Sequence, residues 1–307
     1  MCNFVRQELN PHYMKRENIF KGLGVAVVTP FTADGSVDYP ALQALVRSQL
    51  AGGADFLCVL GTTAETPCLD NEEKNDIIRC ITAVTGGDVP ILLGCGSNNT
   101  AAVVRYLETT DFKNIDGVLI VCPYYNKPSQ EGLYQHFRTI AGASPLPVVL
   151  YNVPGRTGVN LQAATTLRIA HDCPNVVAIK EASGNIRQIE DILKAAPEGF
   201  DVLSGDDAIT MELISVGASG VISVIGNAYP EEFGEMVHYA LNGDFNTALQ
   251  WHRRFNELYK LTSVDGNPAG IKALLALQGK ITDRLRLPLV PATAETHERL
   301  RQFIAAF

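Results

Sequence analysis

The sequence predicts a (β/α)8 barrel with a small C-terminal helical domain. Eight short apolar runs recur along the chain, segments of helical amphipathic spacing lie between them, and from about Glu231 onward the spacing is helical with no further strand-like run. Strand alternating with helix makes parallel βαβ units. Eight such units favour closure into a barrel over an open sheet. A doubly wound sheet is the alternative. Against it, no G-x-G-x-x-G follows the first run, which passes instead into Thr29-Pro30-Phe31.

In order, the runs predicted to be strands are Gly24–Val28, Phe56–Leu60, Ile91–Gly94, Gly117–Val121, Pro147–Tyr151, Val176–Lys180, Val202–Ser204 and Gly220–Val224. Each is short and rich in aliphatic residues, the pattern of a strand buried on both faces. Between them, apolar residues at helical spacing predict helices over Tyr39–Ala51, Asn71–Val84, Thr100–Thr109, Gln130–Ala141 and Ala208–Val216. Phe245–Tyr259 and Pro268–Leu277 are the clearest helices of the last part. The chain therefore divides into an N-terminal extension (residues 1–18), a barrel (19–242) and a C-terminal helical domain (243–307). Residues Asn3–Tyr13 carry no periodic apolar face, and Met14-Lys15-Arg16 is an alternative start. The first 13 residues are expected to be dispensable.

The composition is that of an ordinary globular protein. Of 307 residues, 46% are hydrophobic and 19% charged, enough apolar material for a large core. A net charge of −8 argues against general affinity for nucleic acid or anionic membrane. No stretch approaches the roughly 20 apolar residues that span a bilayer. The polar N-terminus lacks the apolar core of a signal peptide, so a cytoplasmic protein is expected. The seven cysteines form no C-x-x-C pair and have no histidine at ligand spacing. Neither a zinc site nor a disulfide framework is indicated.

In a barrel of this kind the chemistry belongs to the C-terminal ends of the strands. Lys180 ends the sixth run and is followed by Glu181-Ala182-Ser183-Gly184. Burial disfavours an ammonium, and the neutral amine is a nucleophile toward ketones and aldehydes. The plainer reading is a lysine that snorkels from a strand end. Other strand ends carry Gly61-Thr62-Thr63-Ala64-Glu65, Pro123-Tyr124-Tyr125-Asn126-Lys127-Pro128, Tyr151-Asn152-Val153-Pro154-Gly155-Arg156-Thr157-Gly158 and Gly205-Asp206-Asp207. Taken singly, each has a bland reading. The threonines cap a helix, the tyrosines pack, Arg156 is a solvated charge, and the aspartates cap the next helix. Taken together at one end of one barrel, they suit a ketoacid. They supply an amine for an imine, hydroxyls for a carboxylate, phenols for proton transfer and a guanidinium for a second carboxylate.

These motifs, with Ile179-Lys180-Glu181-Ala182 and Ser204-Gly205-Asp206-Asp207, resemble the 4-hydroxy-tetrahydrodipicolinate (dihydrodipicolinate) synthase family from about Ile19 to the C-terminus. The resemblance implies a (β/α)8 barrel that condenses pyruvate with L-aspartate 4-semialdehyde on the diaminopimelate route to lysine, without metal or cofactor. It implies that Lys180 forms the imine and Tyr151 is the general acid/base. Thr62 links Tyr151 to Tyr125, which crosses a dimer interface. Thr63 holds the pyruvate carboxylate, Arg156 anchors the semialdehyde, and Gly205 and Ile222 line the site through their backbone. A homo-oligomer is implied, a tetramer built as a dimer of dimers.

One departure is Ala64, where the family has glycine. Alanine would be strained there if the position needed positive φ. N-acetylneuraminate lyases and keto-deoxy-sugar-acid aldolases are the sibling readings; the former show Ser-Thr where this chain has Thr62-Thr63. A ketoacid-binding barrel without catalysis is the non-enzymatic alternative. Feedback by lysine is expected to be weak or absent. Its ammonium needs an acidic partner, and the position four residues beyond Asn98 is Ala102, while Asn71 and Lys74 stand where sensitive relatives carry histidines. Glu72 or Glu108 is the possible substitute.

Overall fold

The computed structural model describes residues 18–307. The N-terminal extension, with its proposed alternative start, therefore lies outside the described residues except for Asn18. The described chain opens with β1 (Gly22–Ala26), α1 (Tyr39–Ala51), β2 (Phe56–Val59), α2 (Asn71–Thr85), β3 (Ile91–Gly94), α3 (Thr100–Thr109), β4 (Gly117–Val121) and α4 (Gln130–Ala143). It continues with β5 (Val148–Asn152), the one-turn α5 (Pro154–Thr157), α6 (Ala163–Asp172), β6 (Val176–Glu181), α7 (Ile186–Ala195), β7 (Asp201–Ser204), α8 (Thr210–Ser215) and β8 (Gly220–Ser223). Helices α9 (Pro230–Leu241), α10 (Phe245–Leu261), α11 (Ala269–Leu277) and α12 (Ala294–Ala306) complete it.

The eight strands pair in sequence order, all parallel, and β1 pairs with β8 to close the barrel. Closure depends on two glycines. A Cβ on Gly220 would lie 2.2 Å from the carbonyl oxygen of Gly22, and its φ is +151°, so only glycine lets the first and last strands approach. Alternate strand positions face inward. Ala26, Phe56, Cys58, Leu92, Leu119, Val149, Tyr151, Leu203 and Ile222 fill the lumen as one cluster, plugged by Phe20. The complementary positions face the helices and build a larger apolar layer, which extends into α10, α11 and α12.

Helix starts follow from local chemistry. Asp38, Asn99, Ser129, Asn185 and Asp244 each accept a backbone N–H in the first turn of the helix they precede. Asp70 and Glu73 form a reciprocal capping box at α2.

Most elements fall where the periodicity predicts. β1 is an exception, beginning at Gly22 rather than Gly24 and ending before Val27. Val27 and Val28 are buried in the outer core beyond the ladder, so the apolar run outlasts the strand. The helix expected over Ala208–Val216 opens as a 3-10 turn, Asp207–Ile209, before α8. No helix among the described residues is long and apolar enough to cross a membrane.

Candidate active site

Four lysine and glutamate side chains are buried among the described residues: Glu65, Lys180, Glu181 and Lys272. All four lie at or behind the strand-end loops predicted to carry chemistry. Burying a charge is costly unless it is paired and hydrogen-bonded, so their partners define how the site is built.

Lys180 and Tyr151 are register partners on β6 and β5. Partners in register point to the same face, and here that face is the lumen. The Lys180 Nζ lies 4.4 Å from the centroid of the Tyr151 ring. Lys180 is only 7% exposed. Gly205 begins the loop after β7 and presses against it: a Cβ there would stand 3.0 Å from Lys180 Cε and 2.8 Å from Ala182 Cβ. Ile222 lies in the same luminal cluster as Tyr151. Cys58 is also luminal, and burial raises its thiol pKa while the Lys180 charge opposes the shift. A protonated thiol is a poor nucleophile.

The next register pair, Asn152 with Glu181, faces the other way. Glu181 is fully buried, and its carboxylate accepts from Asn152 Nδ2 at 2.8 Å, Gln188 Nε2 at 3.0 Å, Ser183 N at 3.2 Å and Ser183 Oγ at 2.6 Å. Burial raises its pKa and these donors oppose the rise. Asn152 also donates to Asn160 Oδ1 and accepts from Leu161 N. The network matters for register. The β5–β6 ladder slips by one residue between Val148 and Val149, and a slip of one turns every side chain to the opposite face. The Asn152–Glu181 bond fixes the register after the bulge, with Lys180 and Tyr151 facing inward.

The threonine loop is built differently. Thr62, Thr63 and Ala64 form one 3-10 turn between two non-glycine residues of positive φ, Leu60 and Glu65, both at +55°. Ala64 is not among the positive-φ residues. The strain that its substitution for glycine suggested falls on its neighbours, and the Ala64 carbonyl accepts from Thr29 Oγ1 at 2.8 Å. Thr63 is buried, and its Oγ1 accepts from Asn267 Nδ2 at 3.0 Å. Arg156, exposed on α5, donates to the Asn267 carbonyl at 3.2 Å. Asn267 thus joins two predicted site residues from the chain that leads into α11. The sequence reading missed it, because a lone Asn-Pro step carries no periodic signal.

Tyr125 stands apart. It is 86% exposed, and its φ of +73° is unusual for a bulky residue. Among the described residues no hydrogen bond joins the Thr62, Tyr151 and Tyr125 hydroxyls; the backbone N–H of Tyr125 donates to the Thr157 carbonyl. Asp206 caps the following turn through Ala208 N, as its sequence position suggests. Asp207 does not cap. Its carboxylate accepts from Val224 N and Ile225 N beyond β8. Ala102 is partly buried in the first turn of α3, and Asn98 donates to the Tyr124 carbonyl at 3.1 Å.

The model of the dihydrodipicolinate synthetase family matches residues 19–307. The chain belongs to that family. A 4-hydroxy-tetrahydrodipicolinate synthase from Phocaeicola vulgatus is 60% identical over 284 residues, covering 92% of this chain and 96% of that protein. The crystal structure of dihydrodipicolinate synthase from Thermotoga maritima superposes with a TM-score of 0.92 at 41% identity, over 94% of this chain and 99% of that one. That of the chloride-inhibited enzyme from Acinetobacter baumannii, complexed with pyruvate, gives 0.90 at 38% identity, over 94% and 98%. As in those synthases, the barrel carries a helical C-terminal region.

Proposed function

We propose that this member of the dihydrodipicolinate synthetase family condenses pyruvate with L-aspartate 4-semialdehyde through an imine on Lys180. It is a class I aldolase-type lyase of lysine biosynthesis. The observation that carries the residue assignment is the luminal Lys180–Tyr151 pair: a buried amine 4.4 Å from a phenol ring at the mouth of the barrel. The amine attacks the pyruvate carbonyl carbon, and water leaves as the imine forms. Loss of a methyl proton gives the enamine, whose carbon attacks the aldehyde. Its oxygen takes up a proton and becomes the 4-hydroxyl. The substrate's own amine then attacks the imine carbon, closes the ring and displaces Lys180.

In this reading Tyr151 is the general acid/base beside the imine. Thr63 helps to hold the pyruvate carboxylate, and Thr62 links Tyr151 to Tyr125 in a proton relay. Arg156 takes the carboxylate of the semialdehyde. Gly205 and Ile222 leave room beside the amine.

The exposure and strained backbone of Tyr125 support its insertion into a second copy of the chain, in a homo-oligomer organised as a dimer of dimers. Strained conformations persist where surrounding structure over-determines them, and a partner surface would do so. A cytoplasmic location is part of this reading, and the ordinary globular composition and net charge of −8 support it.

Borohydride reduction with pyruvate tests the assignment. One reduced adduct should form, on Lys180, and Lys180→Ala should lose both adduct and nearly all turnover while keeping its melting temperature within a few degrees. An adduct on another lysine, or substantial turnover by the alanine variant, would refute it.

A further inference from the structure

The chemistry described above makes no use of the ion pair between Glu65 and Lys272, both fully buried. Glu65 follows the threonine loop directly, and its side chain points away from the lumen. Its Oε1 lies 2.5 Å from Lys272 Nζ on α11, and both side chains are fully buried. Its Oε2 accepts from the backbone N–H of Arg286 at 3.0 Å. Lys272 also donates to the Arg284 carbonyl at 2.9 Å and sits 4.1 Å above the Phe31 ring. The Arg286 guanidinium lies over the same ring, bridges both oxygens of Glu73 and donates to the carbonyls of Gly35 and Cys68. Burial lowers the Lys272 pKa to about 8, with Glu65 opposing the shift.

A buried pair of this kind adds little stability compared with apolar side chains of the same shape. What it adds is geometry. The loop between Leu60 and Glu65 is strained at both ends. Its first threonine has no hydrogen bond to Tyr151 or Tyr125 among the described residues. Its second is held by Asn267, five residues before Lys272.

We propose that the Lys272–Glu65 pair is a positioning device for the pyruvate carboxylate: it holds the Thr62-Thr63 turn at the height at which Thr63 meets the carboxylate of the Lys180 imine. Neither residue touches substrate. The inference rests on the assignment of Thr63 to that carboxylate. It assigns the C-terminal helices a part in substrate recognition, as a strut against which the cradle is set.

The test separates positioning from stability. Glu65→Gln and Lys272→Met each leave one buried charge alone, and both should lower the melting temperature. The double variant leaves no unpaired charge, so most of the lost melting temperature should return. In the double variant, the pyruvate concentration for half-maximal borohydride trapping should stay raised by about tenfold or more, the scale of a displaced binding group. The KM for the semialdehyde, held by Arg156, should stay within about threefold of wild type. Thr63→Val serves as the control and should raise the pyruvate requirement by a similar factor.

If the double variant recovers its pyruvate requirement together with its melting temperature, the pair is only structural and the proposal fails. A parallel rise in both substrates' KM values would overturn it equally. If Thr63→Val leaves the pyruvate requirement unchanged, the cradle assignment fails and the proposal falls with it. If Thr63→Val raises the requirement and the double variant does not, the cradle stands and the positioning role is refuted. Should either single variant fail to fold, the double variant and the control decide alone.

Discussion

Lys180 and Tyr151 sit on neighbouring strands in one register, whereas Thr62 and Thr63 sit on a turn between two residues of positive φ. The first pair takes its geometry from the ladder. Each strand carries a luminal residue followed by an outward polar one, and the Asn152–Glu181 bond behind the pair fixes which is which. The second pair has no ladder, and its turn is held from outside by α11 and the chain around it. A strand-borne group needs only its register to be specified. A loop-borne group needs a partner from elsewhere in the fold, and here that partner lies more than 200 residues away. Functional groups on rigid elements are placed more precisely than groups on loops, and the buried charges of this chain lie where that precision has to be supplied.

The contrast predicts unequal effects for chemically similar changes. Tyr151→Phe removes a hydroxyl from a buried ring in a fixed register. The fold should survive, and turnover should fall by about 10²–10⁴-fold, the range for a general acid–base group. Tyr125→Phe removes the same hydroxyl from an exposed, loop-borne ring. Its loss should be smaller, and activity should vanish on dilution to the monomer if the ring acts in a partner. Equal losses in the two variants, or a fully active monomer, would break the distinction between the halves.

Gly205→Ala gives a smaller effect on the strand-borne half. The residue does not have positive φ, so alanine costs nothing in backbone conformation there. The new methyl would lie 2.8 Å from Ala182 Cβ and 3.0 Å from Lys180 Cε, contacts too close to persist. The lysine stem can give, but the Ala182 methyl and the Glu181 carbonyl at 3.1 Å cannot turn away, so the loop backbone must shift too. Overpacking of this kind costs about 1–3 kcal/mol, and turnover should fall about tenfold as the amine is displaced. A variant of unchanged turnover would show that the amine is less confined than its surroundings indicate.

The same contrast explains what could be read in the sequence. The places of Lys180 and Tyr151 at strand ends were legible because strands announce themselves as apolar runs. Lys272 was a lone cation in the apolar segment Ala-Gly-Ile-Lys-Ala-Leu-Leu, a signal in principle, but nothing local named Glu65 as its partner. Asn267 was invisible for the same reason. In the fold, α1, β3, α3 and β4 fell on their predicted residues because caps and periodicity agree there. Helix α12 was not singled out. Its sequence is mostly polar, and it is held by a few buried contacts, chiefly Leu300 and Phe303 against the other C-terminal helices.

The smallest expected effect concerns the tie between the loops that follow β7 and β8. Asp207 Oδ2 accepts from Val224 N at 3.0 Å and Ile225 N at 2.8 Å, while its Oδ1 is buried without a partner. Burial, helped by the nearby Asp206 charge, raises the carboxyl pKa to about 6, against 3.8 for an ordinary aspartate, and the two backbone donors and the neighbouring Ser223 hydroxyl only partly offset this. The folded state therefore holds this proton more tightly than the unfolded state. Between about pH 4 and 6 the native protein binds more protons at this site, so its contribution to stability falls as pH rises through that window. Above pH 6 the penalty is complete. Asparagine at this position accepts the same two N–H groups and cannot ionise. Asp207→Asn should therefore gain on the wild type as pH rises, with the difference in melting temperature more favourable at pH 7 than at pH 4 by about one to three degrees. A difference that stays constant from pH 4 to 7 would mean that water reaches the Oδ1 atom and that the loop tie does not depend on its protonation.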